Sequence, residues 1–270
     1  MAMHFPSAVR ISLCAIPFAL IVSLASAEPV LVKKREGVVH GFLVLKSLEG
    51  EILADGDLVQ VPRERGIESR LTFHFGDGSL HDERVFFSQD RSFLLESYQL
   101  VQKGPSFPKS LEVTLDRDER RYEIRHFPED GGKVETLEGE LELPRDTYNG
   151  MFFILLKNLP AQAAKTEVSM VAFTPEPRVL SLEISSQGEE TFSIGKRTSR
   201  AVHYALNPEV RGLTGLLAEL FGKDPEPLHT WMVRGDAPTF VKFQGFLYQG
   251  GPVWSIELAS PTWPSGGENR

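Results

Sequence analysis

The residues with the clearest chemical potential lie in one short run around a predicted turn. This run holds two imidazoles, His74 and His81, and three carboxylates, Asp77, Asp82 and Glu83. Imidazole and carboxylate side chains bind zinc and activate water, so the hairpin is the candidate centre of a metal-assisted hydrolase. Asp and Gly also serve a hairpin tip through their geometry alone. We therefore predict no metal ligand and keep the hydrolase as an alternative.

The other histidines are dispersed, and we predict no catalytic residue and no cofactor. His40, His126 and His203 fall within strand-like runs, and His229 precedes Trp231. The sequence shows no nucleophile elbow, phosphate-binding glycine loop, zinc helix or calcium loop. A serine without a positioned base is not a nucleophile. An enzyme stays open as an alternative, because distant residues can assemble into a triad.

Large aromatic residues and glycines concentrate in the last third of the chain. In strands, such residues either line an apolar ligand groove or fill a close-packed core, and both interpretations stay open. The predicted ligand-binding residues are Trp231, Phe240, Phe243, Phe246, Tyr248 and Trp254.

The elements that must position these residues are predicted to be strands. Leu71, Phe73 and Phe75 alternate with polar residues, which places them on one face of a strand. The same period recurs in most of the chain. It predicts a mainly β fold, namely a strongly curved antiparallel sheet or partly open β-barrel of about ten or more strands. Tight turns are predicted at Asp55–Gly56, Asp77–Gly78, Gly131–Gly132 and Gly250–Gly251.

Two segments depart from this rhythm and predict one or two helices packed on the sheet. In the segment 208–221, Asn207 is a candidate cap, Pro208 suits the first helical position, and an apolar stripe follows. This helix either packs on the sheet or covers its opening as a lid. The second segment runs from Met151 to Leu156, with Asp146 or Thr147 as its candidate cap.

The first 27 residues are predicted to be a signal peptide. Arg10 precedes an apolar run, and Ala25-Ser26-Ala27 provides the small-x-small pattern that a signal peptidase cleaves. We expect cleavage after Ala27, a single β-rich domain over 28–264 and a disordered tail over 265–270. The expected location is secreted or periplasmic, without an integral membrane segment after cleavage.

Composition narrows the classes of partner. The single cysteine, Cys14, lies within the predicted signal peptide, so disulfide staples are not expected and an ordinary apolar core must hold the fold. The net charge of −8 and the lack of a basic stripe argue against nucleic-acid binding. The sequence does not predict an oligomeric state.

Several phrases resemble a group of uncharacterised secreted bacterial proteins with β-rich domains. The phrases are Asp77-Gly-Ser, Asp82-Glu83, Phe87-Ser-Gln89, Lys103-Gly-Pro-Ser-Phe-Pro108, Leu143-Pro-x-Asp146, Asn149-Gly150 and Gly250-Gly-Pro-x-Trp254. The resemblance covers most of the chain beyond the signal and implies no catalytic residue. The layout is also similar to periplasmic domains of unknown function whose curved antiparallel sheet resembles that of lipoprotein-carrier folds.

The predicted function is non-catalytic binding of an apolar or lipid-like ligand on the concave face of the sheet. A cell-envelope structural or interaction protein with a filled core is the first alternative, and the hydrolase is the second. The volume behind the sheet distinguishes the first two, because a site for a drug-sized ligand needs about 300 Å³ or more.

Overall fold

The computed structural model describes residues 28–259 apart from 129–130, 160–164, 174–176, 195–196 and 209–226. Strands dominate this part of the chain, which confirms the mainly β prediction. In chain order, the elements are β1 (Val39–Lys46), β2 (Ile52–Arg63), β3 (Gly66–Phe75), β4 (Leu80–Gln89), β5 (Phe93–Lys103), β6 (Ser110–Asp116), β7 (Arg121–Phe127), β8 (Glu135–Glu140), α1 (Phe152–Asn158), β9 (Thr166–Ala172), β10 (Arg178–Ile194), β11 (Arg197–Pro208), β12 (Leu228–Val233), β13 (Thr239–Gly245) and β14 (Trp254–Leu258).

The strands form one 14-stranded antiparallel sheet in the order β8-β7-β6-β5-β4-β3-β2-β1-β14-β13-β12-β11-β10-β9. Each strand pairs with its neighbour in sequence, except that β8 does not pair with β9 and β1 pairs with β14. Two meanders, β1–β8 and β9–β14, are therefore joined through the β1–β14 ladder, where Leu45 lies opposite Ile256. In the described part of the chain the sheet is not closed, and β8 and β9 are its two edge strands.

One continuous core lies on the inner face of this sheet. The predicted alternation of β3 is confirmed, because Leu71, Phe73 and Phe75 are buried and His74 between them is exposed. The same buried cluster takes in Leu45 from one meander and Ile256 from the other. Both meanders therefore bury their apolar side chains in a shared interior, and this interior holds the candidate site.

The outer edge of β9, on the side away from β10, is covered by the chain segment that leads into α1. Ser169 donates its backbone N–H to the carbonyl oxygen of Asp146 at 2.8 Å and accepts from the N–H of Tyr148 at 2.9 Å. The side-chain amide of Asn149 then bonds both backbone groups of Val171, with its Nδ2 2.8 Å from the carbonyl oxygen and its Oδ1 2.7 Å from the nitrogen. These edge groups are thus already bonded, which explains why β8 does not pair there.

The predicted helix between the two meanders is confirmed as α1, but its predicted cap is wrong. Met151 precedes the first helical residue, and no side chain caps the helix. Asp146 instead accepts a hydrogen bond from the hydroxyl of Ser169 at 2.9 Å, which ties it to β9. At the other end, the guanidinium of Arg234 donates to the carbonyl oxygen of Leu159 at 3.0 Å.

The turns at Asp77–Gly78, Gly131 and Gly250 have glycines with φ of 88°, 71° and 68°, as the sequence predicts. The turn predicted at Asp55–Gly56 is wrong, because both residues lie inside β2. Gly56 is there because its α-carbon lies against the ring of Phe73, where an added methyl group would come within 2.4 Å.

The second predicted helix falls mostly outside the described residues. Its proposed cap, Asn207, and its first residue, Pro208, are the last two residues of β11, paired with Glu183 and Leu182 of β10. The predicted signal peptide over 1–27 and the tail over 265–270 also lie outside the described part of the chain. Within that part, no helix has the length and apolar character needed to cross a membrane.

Candidate functional site

A cavity of about 820 Å³ lies in the interior between the two meanders. Its wall includes inner-face residues of β3 to β7 and of β12 to β14. Both edge strands also contribute, through Leu137 of β8 and Val171 of β9, as do Phe152 and Phe153 of α1. The cavity therefore lies beside the gap between β8 and β9.

Most of the wall is apolar. Aliphatic and aromatic side chains come from both meanders, from α1 and from the segments that follow β9 and β13. They are Leu71, Leu100, Leu111, Leu137, Phe152, Phe153, Met170, Val171, Phe173, Leu228, Phe243, Phe246, Leu247, Tyr248 and Ile256. A wall of this kind favours ligands with substantial apolar surface.

One end of the cavity wall is open to solvent, whereas another part is deeply buried. Pro108, Lys109, Glu135 and Gln249 line the cavity and are exposed, so they mark its mouth. Since Lys109 and Glu135 carry opposite charges, the mouth presents both signs.

The inner part of the wall carries four polar residues on the adjacent strands β4 and β5, three of them buried and Glu83 partly exposed. They are His81, Glu83, Tyr98 and Gln102, which we call the β4–β5 polar group. His81, Tyr98 and Gln102 are 3%, 4% and 2% exposed. Polar groups at such depth are stable only when hydrogen bonds replace their contacts with water.

Glu83 and Tyr98 form one hydrogen-bonded pair within this group. The hydroxyl of Tyr98 donates to the carboxyl Oε1 of Glu83 at 2.8 Å. Burial raises the pKa of the Glu83 carboxyl, and the hydrogen bond from Tyr98 offsets only part of that rise. Burial and the neighbouring carboxyl raise the pKa of the Tyr98 hydroxyl as well. Both shifts therefore favour the neutral forms of the two side chains.

Gly150 permits the close approach of the helix segment to this pair. Its φ of 67° lies in the left-handed region. A side chain at this position would come within 2.5 Å of Val85 and 3.1 Å of the Glu83 carboxyl carbon. The chain leading into α1 can therefore cover Glu83 directly only with glycine here.

His81 and Gln102 form the second hydrogen-bonded pair. The Gln102 amide also bonds a backbone carbonyl oxygen. The side-chain Nε2 of Gln102 lies 2.7 Å from the carbonyl oxygen of Leu247 and 3.0 Å from Nδ1 of His81. A carbonyl oxygen only accepts, so the Gln102 atom facing it is the amide nitrogen, a donor. The same NH₂ group donates to Nδ1 of His81, which leaves the imidazole proton on Nε2.

The imidazole of His81 is neutral and has one unused donor. Burial lowers the pKa of His81 to about 4, and the nearby Asp82 carboxylate opposes this only in part. The rings of Phe73 and Phe107 lie 6.2 and 6.4 Å from the imidazole, centroid to centroid. Among the residues that the structure describes, no group bonds the buried Nε2 atom. His81 therefore brings to the cavity wall a side chain with a buried N–H donor that no described residue bonds.

A second histidine lines the cavity nearer its mouth. His126 of β7 contacts both this cavity and a smaller one of about 170 Å³ that it shares with Lys109 and Glu135. Its Nδ1 atom is buried and has no hydrogen-bond partner within the described ranges. Polar atoms therefore recur along the cavity from the buried group to the entrance.

The structure brings five of the six predicted ligand residues to this region. Phe243, Phe246 and Tyr248 line the cavity directly. Phe240 packs on the lining residue Phe153 with ring centroids 4.3 Å apart, and Trp254 packs behind Tyr248 at 5.9 Å. These two support the wall rather than form its surface.

Trp231 is the exception, because it lies on the opposite face of the sheet. Its indole stacks on the imidazole of His203 with centroids 4.4 Å apart and donates to Glu190 at 3.0 Å. In β12, Thr230 and Met232 take the inner positions and are fully buried. Because successive side chains of a strand point to opposite faces of the sheet, Trp231 points outward, away from the cavity.

The two imidazoles of the predicted hydrolase hairpin are also separated by the sheet. His74 is exposed on the outer face, whereas His81 is buried in the interior. Asp82 faces outward too, in an ion pair with the guanidinium of Arg70 at 2.7 Å. In the described residues, no group of three or more metal-ligating side chains lies close enough to hold an ion.

The sequence analysis named His81 and Glu83 only as part of the hairpin. It did not identify the β4–β5 polar group. The sequence does hold a signal for this group. His81 and Glu83 lie on the same face of the strand as Val85 and Phe87, which are apolar and buried. A polar residue at an inward position of an otherwise apolar strand face marks a buried hydrogen-bonding group. The partner strand cannot be identified this way, because pairing depends on tertiary structure.

Comparisons of the chain with protein-family models, with curated proteins and with solved structures found no match.

Proposed function

We propose that this protein binds a small apolar or lipid-like molecule in the cavity between its two meanders. The observation that carries the proposal is the combination of volume and lining. About 820 Å³ exceeds the roughly 300 Å³ that a drug-sized ligand requires. The wall is largely apolar with a small buried polar group, which is the usual composition of a ligand site.

The proposal places the protein outside the cytoplasm, on the basis of the predicted signal peptide. A binding protein for poorly water-soluble molecules is useful in such a compartment, because these molecules partition away from water unless a protein encloses their apolar surface. Phe243, Phe246 and Tyr248 supply much of the aromatic contact area.

The two alternatives have less support. A structural envelope protein was expected to have a filled interior, and the large cavity favours ligand binding instead. Exposed apolar residues such as Phe42, at 57%, are compatible with contacts to a partner. A hydrolase at the hairpin needs His74 and His81 together, and the sheet lies between them.

Ligand binding is tested on the full chain purified without detergent. We expect organic extraction and mass spectrometry to detect a co-purifying apolar molecule at near-stoichiometric amount. After extraction, the protein should bind the apolar dye Nile red saturably, with a rise in fluorescence. A protein with no extractable molecule and no saturable dye binding would contradict the proposal.

A pair of substitutions on β5 locates the dye. Leu100 faces the cavity and Gln99 is exposed on the other face. Leu100→Trp fills part of the volume, so we expect dye affinity to fall about tenfold or more. Gln99→Trp adds the same side chain outside and should leave the affinity unchanged. Equal affinities for the two variants would place the dye elsewhere.

A further inference from the structure

We infer that the ligand carries an uncharged oxygen acceptor, as in an ester, amide or alcohol, and that the β4–β5 polar group holds this end of it. The inference rests on the proposed binding function and specifies the chemical class of its ligand. It places the apolar part of the ligand along Leu100, Phe243 and Phe246, with the oxygen next to His81.

The first support is the unused hydrogen-bond donor of His81. The carbonyl oxygen of Leu247 fixes the orientation of the Gln102 amide, which fixes the tautomer of His81 with its proton on Nε2. This side chain is 3% exposed and lines the cavity, and its Nε2 has no partner among the described residues. A buried donor without an acceptor is unfavourable, so a ligand that supplies an acceptor gains affinity.

The second support is the absence of a cation beside His81 among the described residues that line the cavity. Lys109 is the only lysine or arginine in that wall, and it is exposed at the mouth. The His81 imidazole is neutral at physiological pH because burial depresses its pKa. A ligand carboxylate placed there would be a buried charge without a counterion, next to the carboxyl of Glu83.

A cationic head is also a poor match. An ammonium group only donates, and so does Nε2 of His81, so the two cannot bond. Glu83 would have to ionise to pair with the cation, although burial raises the pKa of its carboxyl. An uncharged carbonyl oxygen avoids both problems. It accepts from the Nε2–H of His81 and requires no charge on Glu83.

Three probes with the same alkyl chain test the inference, namely methyl dodecanoate, dodecanoate and dodecylamine. Each competes with Nile red for the delipidated full chain at neutral pH. We expect the ester to bind about tenfold or more tightly than the carboxylate and the amine, because only the charged heads lose solvation without compensation. This comparison uses the unmodified protein and does not depend on the folding of any variant.

Matched histidine substitutions assign the preference to one atom. His81→Phe removes the donor and should weaken ester binding about fivefold, the effect of one net hydrogen bond. His81→Gln keeps an N–H at a similar reach and should restore part of the loss. His74→Phe makes the same change on the outer face and should have no effect. Each variant should bind diphenylhexatriene, a hydrocarbon dye without an oxygen acceptor, with unchanged affinity, which verifies that it retains the cavity.

The outcomes separate this inference from the proposed function. Equal binding of all three probes, or tighter binding of either charged probe, overturns the uncharged head but leaves an apolar binding protein. Ester affinity that is the same in the parent and in His81→Phe overturns the role of His81. If neither the probes nor Nile red bind, the proposed function fails and the inference fails with it.

Discussion

His81 illustrates how one strand position determines the chemistry of a histidine. His74 and His81 lie on either side of the same tight turn. His74 is exposed, whereas His81 is buried, with 3% of its surface exposed. Burial among Phe73 and Phe107 makes the inner imidazole a neutral hydrogen-bonding group. The pKa of His81 accordingly falls to about 4, from an ordinary value of about 6.5.

This depressed pKa makes folding stability depend on pH. Between about pH 6.5 and pH 4, the unfolded chain binds a proton at His81 that the folded chain does not. The contribution is therefore complete above about pH 6.5 and is lost as the pH falls toward 4. Its size is about 3 kcal/mol in the free energy of unfolding. We expect His81→Phe to remove this dependence.

Urea unfolding of the parent and of His81→Phe, repeated across that pH range, measures the difference. Glu83 titrates in the opposite sense, since its pKa is raised, and its contribution falls as the pH rises through the folded pKa. The comparison of variant with parent separates the two residues. His74→Phe should retain the parent slope. A His81→Phe slope equal to that of the parent would show that His81 is not the group that titrates.

At the scale of elements, the strand phases could be predicted from sequence better than the turns. Alternation in β3 placed Leu71, Phe73 and Phe75 on the inner face, and the structure agrees. Asp55–Gly56 has the composition of a tight turn but lies within β2, because Gly56 makes room for the ring of Phe73. That contact involves a neighbouring strand, so local sequence cannot distinguish the two uses of glycine.

The candidate site could be predicted only in part, for a similar reason. The aromatic concentration near the end of the chain identified Phe243, Phe246 and Tyr248, which line the cavity. The buried polar group depends on the contacts of β4 with β5 and with Leu247, which lies 145 residues from Gln102. Contacts at that separation are determined by the β1–β14 ladder and leave no periodic signal.

The segment that covers the outer edge of β9 gives a prediction at this scale. Asn149→Ala removes both bonds to Val171 and leaves a buried N–H and carbonyl group without partners. We expect the free energy of unfolding to fall by about 2 to 4 kcal/mol, as measured by urea denaturation. Gln187→Ala, at an exposed position in the β10–β11 hairpin, should change it by less than about 0.5 kcal/mol.

A small effect of Asn149→Ala would have a definite meaning. It would show that the two groups of Val171 find other partners, so that Asn149 is not what keeps the edge of β9 covered. Nile red affinity provides a second readout, since Asn149 and Val171 both line the cavity. We expect weaker dye binding in the variant, because the wall loses its anchor to β9.

At the scale of the whole molecule, two meanders share one core and are joined by a single ladder. Leu45 of β1 is fully buried, and it lies opposite Ile256 of β14, which is 1% exposed. The cavity takes its wall from both meanders, so the ligand of the proposed function would contact both at once. A core of this kind predicts that the two meanders unfold together, as a single cooperative unit.

Leu45→Ala tests this unity at the ladder. Removing a fully buried leucine side chain should lower the free energy of unfolding by about 2 to 5 kcal/mol. Trp231 and Trp254 carry β12 and β14 into the tryptophan fluorescence signal, to which Trp263, outside the described residues, also contributes. Hydrogen exchange of the β4 and β5 amides reports on the other meander. Because the core is shared, both transitions should move together to lower urea concentration. Val44→Ala, on the outer face of β1, should move them much less.

A loss of stability confined to one meander would mean that β1–β8 and β9–β14 are separate folding units, with the cavity as an interface between them.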